Sequence, residues 1–567
     1  MQGVWQWLGT WMPHLMLVPI VLPMATAALM LLLNEEQQRT KTILSTGSIA
    51  LGLVVAVALL QWSDHSITPS VYLTGNWIAP FGIVLVLDRL TALMLVLTSA
   101  VALAVSVFAM ARWFKAGVHF YVLFQFQLMG LAGAFLTGDL FNLFVFFEIM
   151  LAASYGLLLH GSGRLRVQAG LHYIAINLAA SSLFLIGASM LYGLTGTLNM
   201  ADLAQQIPLV TEADRALLHT AAGILATAFL IKAAVWPVNF WLVPGYSAAT
   251  APVGALFALM TKVGVYTLLR LWTLMFSSEA GASALFGGQW LMAGGMVTMV
   301  FGSIGMLAAT RLTHLAGYAA IVSSGTLLAA TGFGHASLTA GLLYYLPSST
   351  IAVAILFLLA DAIDRWRNHG ASLVDLDDEE APFLSHELVA ADHTNLDDEE
   401  QALIGRPIPA AAAFLGFAFL LCTLVVAGLP PLSGFLGKFA MLTALLSPLG
   451  LGHPLTTAPP PTAWLLLALL IGSGLLALIA LTRAGIRHFW AAHERIPPEI
   501  RLTEGMAIAA LMGLSLALTL HAPSAMRYTE ATAQSLYTPR TYIQAVLQAS
   551  PVPNPPAAAA PAPGAAP

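Results

Sequence analysis

Charge is what this sequence has least of. Only 9% of its 567 residues are Asp, Glu, Lys or Arg, against 58% hydrophobic, whereas a soluble domain carries about 25% charged residues. Such a chain belongs in a bilayer, as an all-α polytopic membrane protein. Cysteine is almost missing too. Cys422 stands alone, which excludes a disulfide framework, a Cys-rich zinc site or an iron–sulfur cluster within the chain; inside an apolar run it reads as a small buried hydrophobe. No P-loop and no Rossmann fingerprint opening a βαβ unit are present, and no basic stripe offers itself to nucleic acid. No cofactor is implied, and covalent catalysis is not expected. The opening MQGVWQWLGTWMPH holds no Lys or Arg, so it is expected to lead into a retained first span instead of a cleaved signal.

What is present is apolar and periodic. About fourteen transmembrane helices are expected, near 14–33, 42–62, 84–110, 118–137, 139–160, 168–193, 219–242, 248–275, 285–309, 313–333, 337–363, 410–447, 463–482 and 503–521. The seventh and twelfth are irregular. Pro237 should break the seventh. The twelfth is too long for one straight span and contains Gly428-Leu-Pro430-Pro431-Leu-Ser-Gly434. Broken backbone survives at membrane depth only where protein or a wet cavity satisfies it.

Lysines and arginines fix the orientation. Fourteen fall on one side: Arg39, Lys41, Arg112, Lys115, Arg164, Arg166, Arg311, Arg365, Arg367, Arg406, Arg483, Arg487, Arg495 and Arg501. Three, Arg215, Arg527 and Arg540, fall on the other. The positive-inside rule makes the fourteen cytoplasmic and both termini periplasmic, in a bacterial inner membrane. The loop 364–409 is the only sizeable soluble insertion and carries Leu-Asp-Asp-Glu-Glu twice, at 376–380 and 396–400. Carboxylate runs can hold hard cations, but no EF-hand spacing occurs, and a solvated charge run is the simpler reading. The Pro/Ala segment 550–567 is expected to be disordered.

Five cations remain in or near spans: Arg89, Lys232, Lys262, Arg270 and Lys438. Lys262 lies halfway along the eighth span, Lys232 beside the break in the seventh, and Lys438 past the break in the twelfth. Glu148 joins them at mid-depth, about 14 Å inside Asp139 at 1.5 Å per residue. A charge at the bilayer centre costs at least about 2.5 kcal/mol and persists only with a partner, a wet cavity or a job. Glu148 and Lys232 could pair statically, yet two lysines would still lack an acidic partner at that depth. A buried lysine whose carboxylate can approach or retreat can load and release a proton, which is the physics of a relay. Elsewhere, Asp88 and Arg89 read as a local ion pair. Arg270 and Asp361, near helix ends, can snorkel. His172, His314 and His335 read as satisfied interfacial residues at helix ends.

Three stretches carry a resemblance: LFVFFEIM around Glu148, LIKAAVWPVNFWLVPGYSAATAPVGALFALMTKVGVY, and GLPPLSGFLGKF. They resemble the antiporter-like membrane subunits shared by respiratory complex I and the Mrp (Mnh, Pha) multisubunit cation/proton antiporters, over roughly residues 80–520. The stretch ending LFLLADAIDRWR and the 80–160 region look closest to the D-type subunits of the Mrp group. The resemblance implies two inverted five-helix repeats, 118–275 and 285–482, following N-terminal helices within 1–117 and preceding a last helix at 503–521. It implies that Glu148 tunes Lys232, that Lys262 is the central relay residue, and that Lys438 is the exchange point of the second half. It implies partners as well: the other subunits of a hetero-oligomeric complex that expels sodium or potassium against protons. The sequence departs from the family where histidine is often found in the tenth span, which has Ser323-Ser324, and in the eleventh, which reads YYLPSSTIAVAILFLL. Serines such as Ser324 and Ser349, or water, would have to bridge there. A proton-pumping subunit of a redox complex, a non-conducting scaffold and a stand-alone solute carrier remain as alternatives.

Overall fold

The computed structural model describes residues 13–112, 119–161, 163–377, 409–447, 458–490 and 500–552. Helices dominate, as they must where no water can satisfy backbone groups. Among the described residues twelve helices are long and apolar enough to cross a membrane, and three shorter apolar ones, Val18–Leu32, Phe120–Leu136 and Ser433–Leu446, accompany them.

Among the described residues the first long elements are α1 (Val18–Leu32) and α2 (Gln38–His65). A two-stranded hairpin follows, β1 (Ser70–Leu73) against β2 (Val84–Leu87), antiparallel with Ser70 opposite Leu87. The expected third span therefore starts late: residues 84–87 are strand, and α3 runs Arg89–Ala109 behind an Asp88 cap whose side chain accepts from the Thr91 amide at 2.9 Å. Next come α4 (Phe120–Leu136), α5 (Leu140–Leu159) and α6 (Arg164–Thr195). Asp139 caps α5 in the same way, accepting from the Asn142 amide. A short α7 (Met200–Gln206) precedes α8 (Arg215–Lys232), α9 (Leu242–Ala248) and α10 (Ala251–Met275).

The second half holds α11 (Gly288–Ala308), α12 (Leu312–Gly332), α13 (Ala336–Asp377), α14 (Ala410–Ala427), α15 (Ser433–Leu446), α16 (Pro461–Gly485) and α17 (Leu502–Leu520). Helix α13 continues well past the expected end at 363, with Pro347 inside it. Two further helices, α18 (Ala522–Leu536) and α19 (Pro539–Leu547), had no counterpart among the expected elements. Most of the acidic insertion and the Pro/Ala segment lie outside the described residues.

Burial places two helices at the centre. Every residue of α10 from Pro252 to Met275 is buried, and the apolar stretch of α13 is enclosed as completely. Peripheral helices instead expose large apolar residues such as Leu32, Ile43, Leu171, Trp290 and Phe417, the inverse of a soluble surface. Helices α11 and α12 meet through facing glycines. A Cβ on Gly295 would stand 2.3 Å from the Ala329 nitrogen, and one on Gly325 would stand 2.7 Å from that of Met299. This is the close small-residue packing on which membrane helices rely.

Candidate functional site

The first break lies between α8 and α9. Helix α8 ends at Lys232, five residues before Pro237, and Ala234 takes a positive φ of 56°. Freed backbone groups find specific partners here. The Trp241 indole donates to the Ile231 carbonyl at 3.1 Å, and the Trp236 amide donates to the Thr298 hydroxyl at 3.0 Å. Helix α10 presses on this break: a Cβ on Gly264 would stand 2.7 Å from the Ala233 nitrogen. Lys262 sits two residues earlier on the same helix.

Both lysines at this break are buried, and among the described residues their ammonium groups have no hydrogen-bond partner. Lys262 is 1% exposed. Lys232 lies over the Phe147 ring, 5.1 Å from its centroid, within electrostatic reach of Glu148 on the next residue of α5. The Glu148 carboxylate is itself held by a hydrogen bond from the Ser181 hydroxyl on α6. In place of a static Glu148–Lys232 ion pair there is a carboxylate anchored to serine and a lysine resting on an aromatic face. Nothing in the sequence singled out Ser181, which approaches Glu148 only through the packing of α5 on α6.

The second break separates α14 from α15. Gly428 takes φ +76° after the last turn of α14, its amide donating to the Leu424 carbonyl at 3.0 Å. Pro430 and Pro431 cannot continue the ladder. Gly434 is obligatory for the approach of the two halves, since a Cβ there would stand 1.9 Å from the Val425 carbonyl oxygen. Lys438, 6% exposed, turns back to donate to the carbonyls of Ala427 at 3.0 Å and Val426 at 3.4 Å. Its charge therefore sits on the partly negative C-terminal end of α14, where orphan carbonyls favour a cation.

Sequence comparison agrees with this architecture. The family model described as "NADH:quinone oxidoreductase/Mrp antiporter, TM" matches residues 137–378. The chain is 49% identical to the D-type subunit of a probable K(+)/H(+) antiporter of Rhizobium meliloti, over 95% of this chain and 98% of that one. It belongs to the family of D-type antiporter subunits. The D-type subunit of the Na(+)/H(+) antiporter of Bacillus subtilis is 32% identical, over 95% and 100% of the two chains. In fold the chain matches the Mrp complex from Dietzia sp. with a TM-score of 0.78 at 24% identity, covering 94% of this chain and 99% of that one.

In this member of the D-type family the remaining polar groups sort clearly. Ser323 donates to Ser349 at 2.8 Å across α12 and α13, while the buried Ser324 hydroxyl has no partner among the described residues. The structure thus pairs Ser349 with Ser323 and leaves Ser324 apart from both. A second hydroxyl string was not anticipated: Ser348 on α13 meets Ser433 at 2.9 Å, and Ser433 meets Ser515 on α17 at 3.3 Å. Cys422 is fully buried, its thiol on the Ala352 carbonyl at 3.2 Å.

Four expectations need correction. Arg270 does not snorkel. It is 6% exposed and grips Asp88 with both nitrogens, at 2.6 and 2.7 Å, while the Tyr266 and Tyr542 rings flank its guanidinium. Asp88 is consequently not the partner of Arg89, which turns to Asp64 at 3.7 Å. Asp361 is no helix-end residue either, because α13 runs on to Asp377. It binds Arg365 at 3.0 Å, and Arg365 binds the fully buried Glu504 at 2.8 Å. Arg112 reaches the same Glu504 oxygen at 3.3 Å, so the end of α3, the body of α13 and the start of α17 are tied together. Of the histidines, His172 lies within the body of α6, exposed and edge-on to Phe240 at 6.0 Å.

The Lys438 site also depends on a residue that the sequence hid. A Cβ on Gly474 of α16 would stand 2.5 Å from the Ala427 oxygen and 3.2 Å from the Lys438 ammonium. Gly474→Ala should therefore force the second break apart, at about 1–3 kcal/mol for overpacking. The expected outcome is a lower melting temperature together with impaired ion exchange. Gly472→Ala, whose added Cβ meets nothing within 4 Å, should leave both unchanged.

Proposed function

We propose that this chain is the proton-translocating membrane subunit of a multisubunit antiporter that expels potassium or sodium in exchange for protons. One observation carries the reading: three lysines are buried at two helix breaks and on the fully enclosed α10, and two of their ammonium groups have no hydrogen-bond partner among the described residues. Groups left this way in a low-dielectric interior are costly unless their charge is allowed to come and go. In this reading Glu148, steadied by Ser181, sets the field at Lys232. Lys262 is the central carrier, and Lys438 exchanges protons at the α14 carbonyls. The serine strings across α12, α13, α15 and α17 supply hydroxyls within the second half, on the Lys438 side of the path.

The architecture follows the same proposal. The twelve long helices, with Val18–Leu32 and Phe120–Leu136 added and Ser433–Leu446 counted as the second half of the broken twelfth span, make fourteen crossings. Residues 118–275 and 285–482 form two inverted repeats. The arginine-rich side is cytoplasmic and both termini are periplasmic in a bacterial inner membrane. The other antiporter subunits are the partners, and the cation path can lie in one of them.

Potassium is the first cation to test, because the relative at 49% identity bears that name and the one at 32% bears sodium. With the full gene cluster expressed, a respiration-generated pH gradient in everted vesicles should collapse on adding potassium, sodium or both. An assembled complex that collapses the gradient with neither cation would overturn antiport. It would favour the redox-driven pump that the shared family description also covers.

A further inference from the structure

The arginine-rich face carries a cavity of about 760 Å³ that the transport reading does not use. It opens between the start of α6, the half-helix α9 and the start of α12. Arg164, Arg166 and Arg311 converge on it with His172, and among the described residues its lining contains no Asp or Glu. Arg164 and Arg311 are exposed. Arg166 is fixed, donating to the carbonyls of Ala248 at 2.8 Å and His160 at 2.6 Å, and so acts as the cationic floor. Arg164 is also the first residue of a 32-residue helix with no acid in its first turn, which adds the positive end of the helix dipole. The opposite wall is apolar: Phe240, 51% exposed, and Pro244.

We propose that this cavity binds the phosphate of an anionic phospholipid. Three arginines at the ends of spans lie at headgroup depth, where such lipids gather and basic pockets between helices select them. The neighbouring Phe240 and Pro244 give an acyl chain an apolar surface, which a free anion would not need. The site also adjoins the break: Trp241, in its lining, is the residue whose indole caps the Ile231 carbonyl beside Lys232. This inference does not depend on the proton relay, and a failure of one leaves the other standing.

Native mass spectrometry of the assembled complex tests it, with phosphatidylglycerol competing against phosphatidylcholine. The wild type should retain phosphatidylglycerol in preference. Arg164→Gln/Arg311→Gln should lose roughly 30-fold of that preference, at about fivefold per arginine. Arg164→Lys/Arg311→Lys, which preserves the charge, should keep most of it and guards against misfolding of the first variant. An unchanged preference in the glutamine variant would overturn the proposal. So would stabilisation by millimolar inorganic phosphate equal to that by the lipid, which would mean a free-anion site. Preference shown by the isolated chain but lost on assembly would equally overturn it, assigning the cavity to a partner subunit.

Discussion

Lys262→Met is expected to bring cation-driven proton exchange down to the background of vesicles lacking the complex, while making the chain no less stable. The two effects have one cause. Lys262 is 1% exposed on a helix buried along its whole length, and its ammonium has no hydrogen-bond partner among the described residues. A charged lysine there costs roughly 2.5–3.5 kcal/mol against an apolar side chain of similar length. Methionine removes that cost and the proton carrier together. A structural lysine would behave in the opposite way: its loss would lower stability and leave turnover in the surviving molecules. Melting temperature in detergent, measured beside exchange in vesicles, separates the two. Wild-type exchange in Lys262→Met would remove Lys262 from the path.

Arg270→Met should do the reverse and cost stability first. Its guanidinium holds Asp88 by two contacts under 3 Å, both residues being largely enclosed. Removing one partner of a buried pair strands the other charge and costs about 3–5 kcal/mol, whereas an exposed pair is worth about 0–1 kcal/mol. The variant should therefore express poorly and melt early. Adding Asp88→Asn should recover much of the loss, because the amide oxygen can still cap the Thr91 nitrogen while the stranded charge is gone. A melting temperature unchanged by Arg270→Met would mean that the pair adds little to the fold.

Lys262 and Arg270 also mark what the sequence discloses. A charge inside an apolar run is visible to inspection, and so is a Gly-Leu-Pro-Pro string in the middle of a span. For that reason Lys232, Lys262, Lys438 and both breaks were legible. Their surroundings were not. Asp88 and Arg270 are 182 positions apart, Arg365 and Glu504 139, and periodicity says nothing about which distant helix ends meet. Adjacency was the only cue for Asp88, and it pointed to Arg89. Ser181 and Gly474 carry no signal of their own, since a serine or a glycine in a membrane helix is ordinary.

The local misses have physical reasons too. Val84–Leu87 is a short apolar run that periodicity alone cannot assign to strand or helix. Helices α18 and α19 have apolar residues on one face only, so no long hydrophobic stretch announces them. They nonetheless close the periphery of the Arg270 site: Tyr542 of α19 packs its ring 5.3 Å from the guanidinium, and Tyr528 of α18 donates to the Arg89 carbonyl at 2.8 Å.

The relay stands or falls on whether Glu148 governs transport. The most direct measurement is cation-induced collapse of a respiration-generated pH gradient in everted vesicles, comparing the wild-type complex with a Glu148→Ala complex of equal subunit content. Collapse in the wild type and none in the variant is the predicted result. Equal collapse in both would contradict a path through Glu148 and Lys232 and return the buried lysines to a structural role.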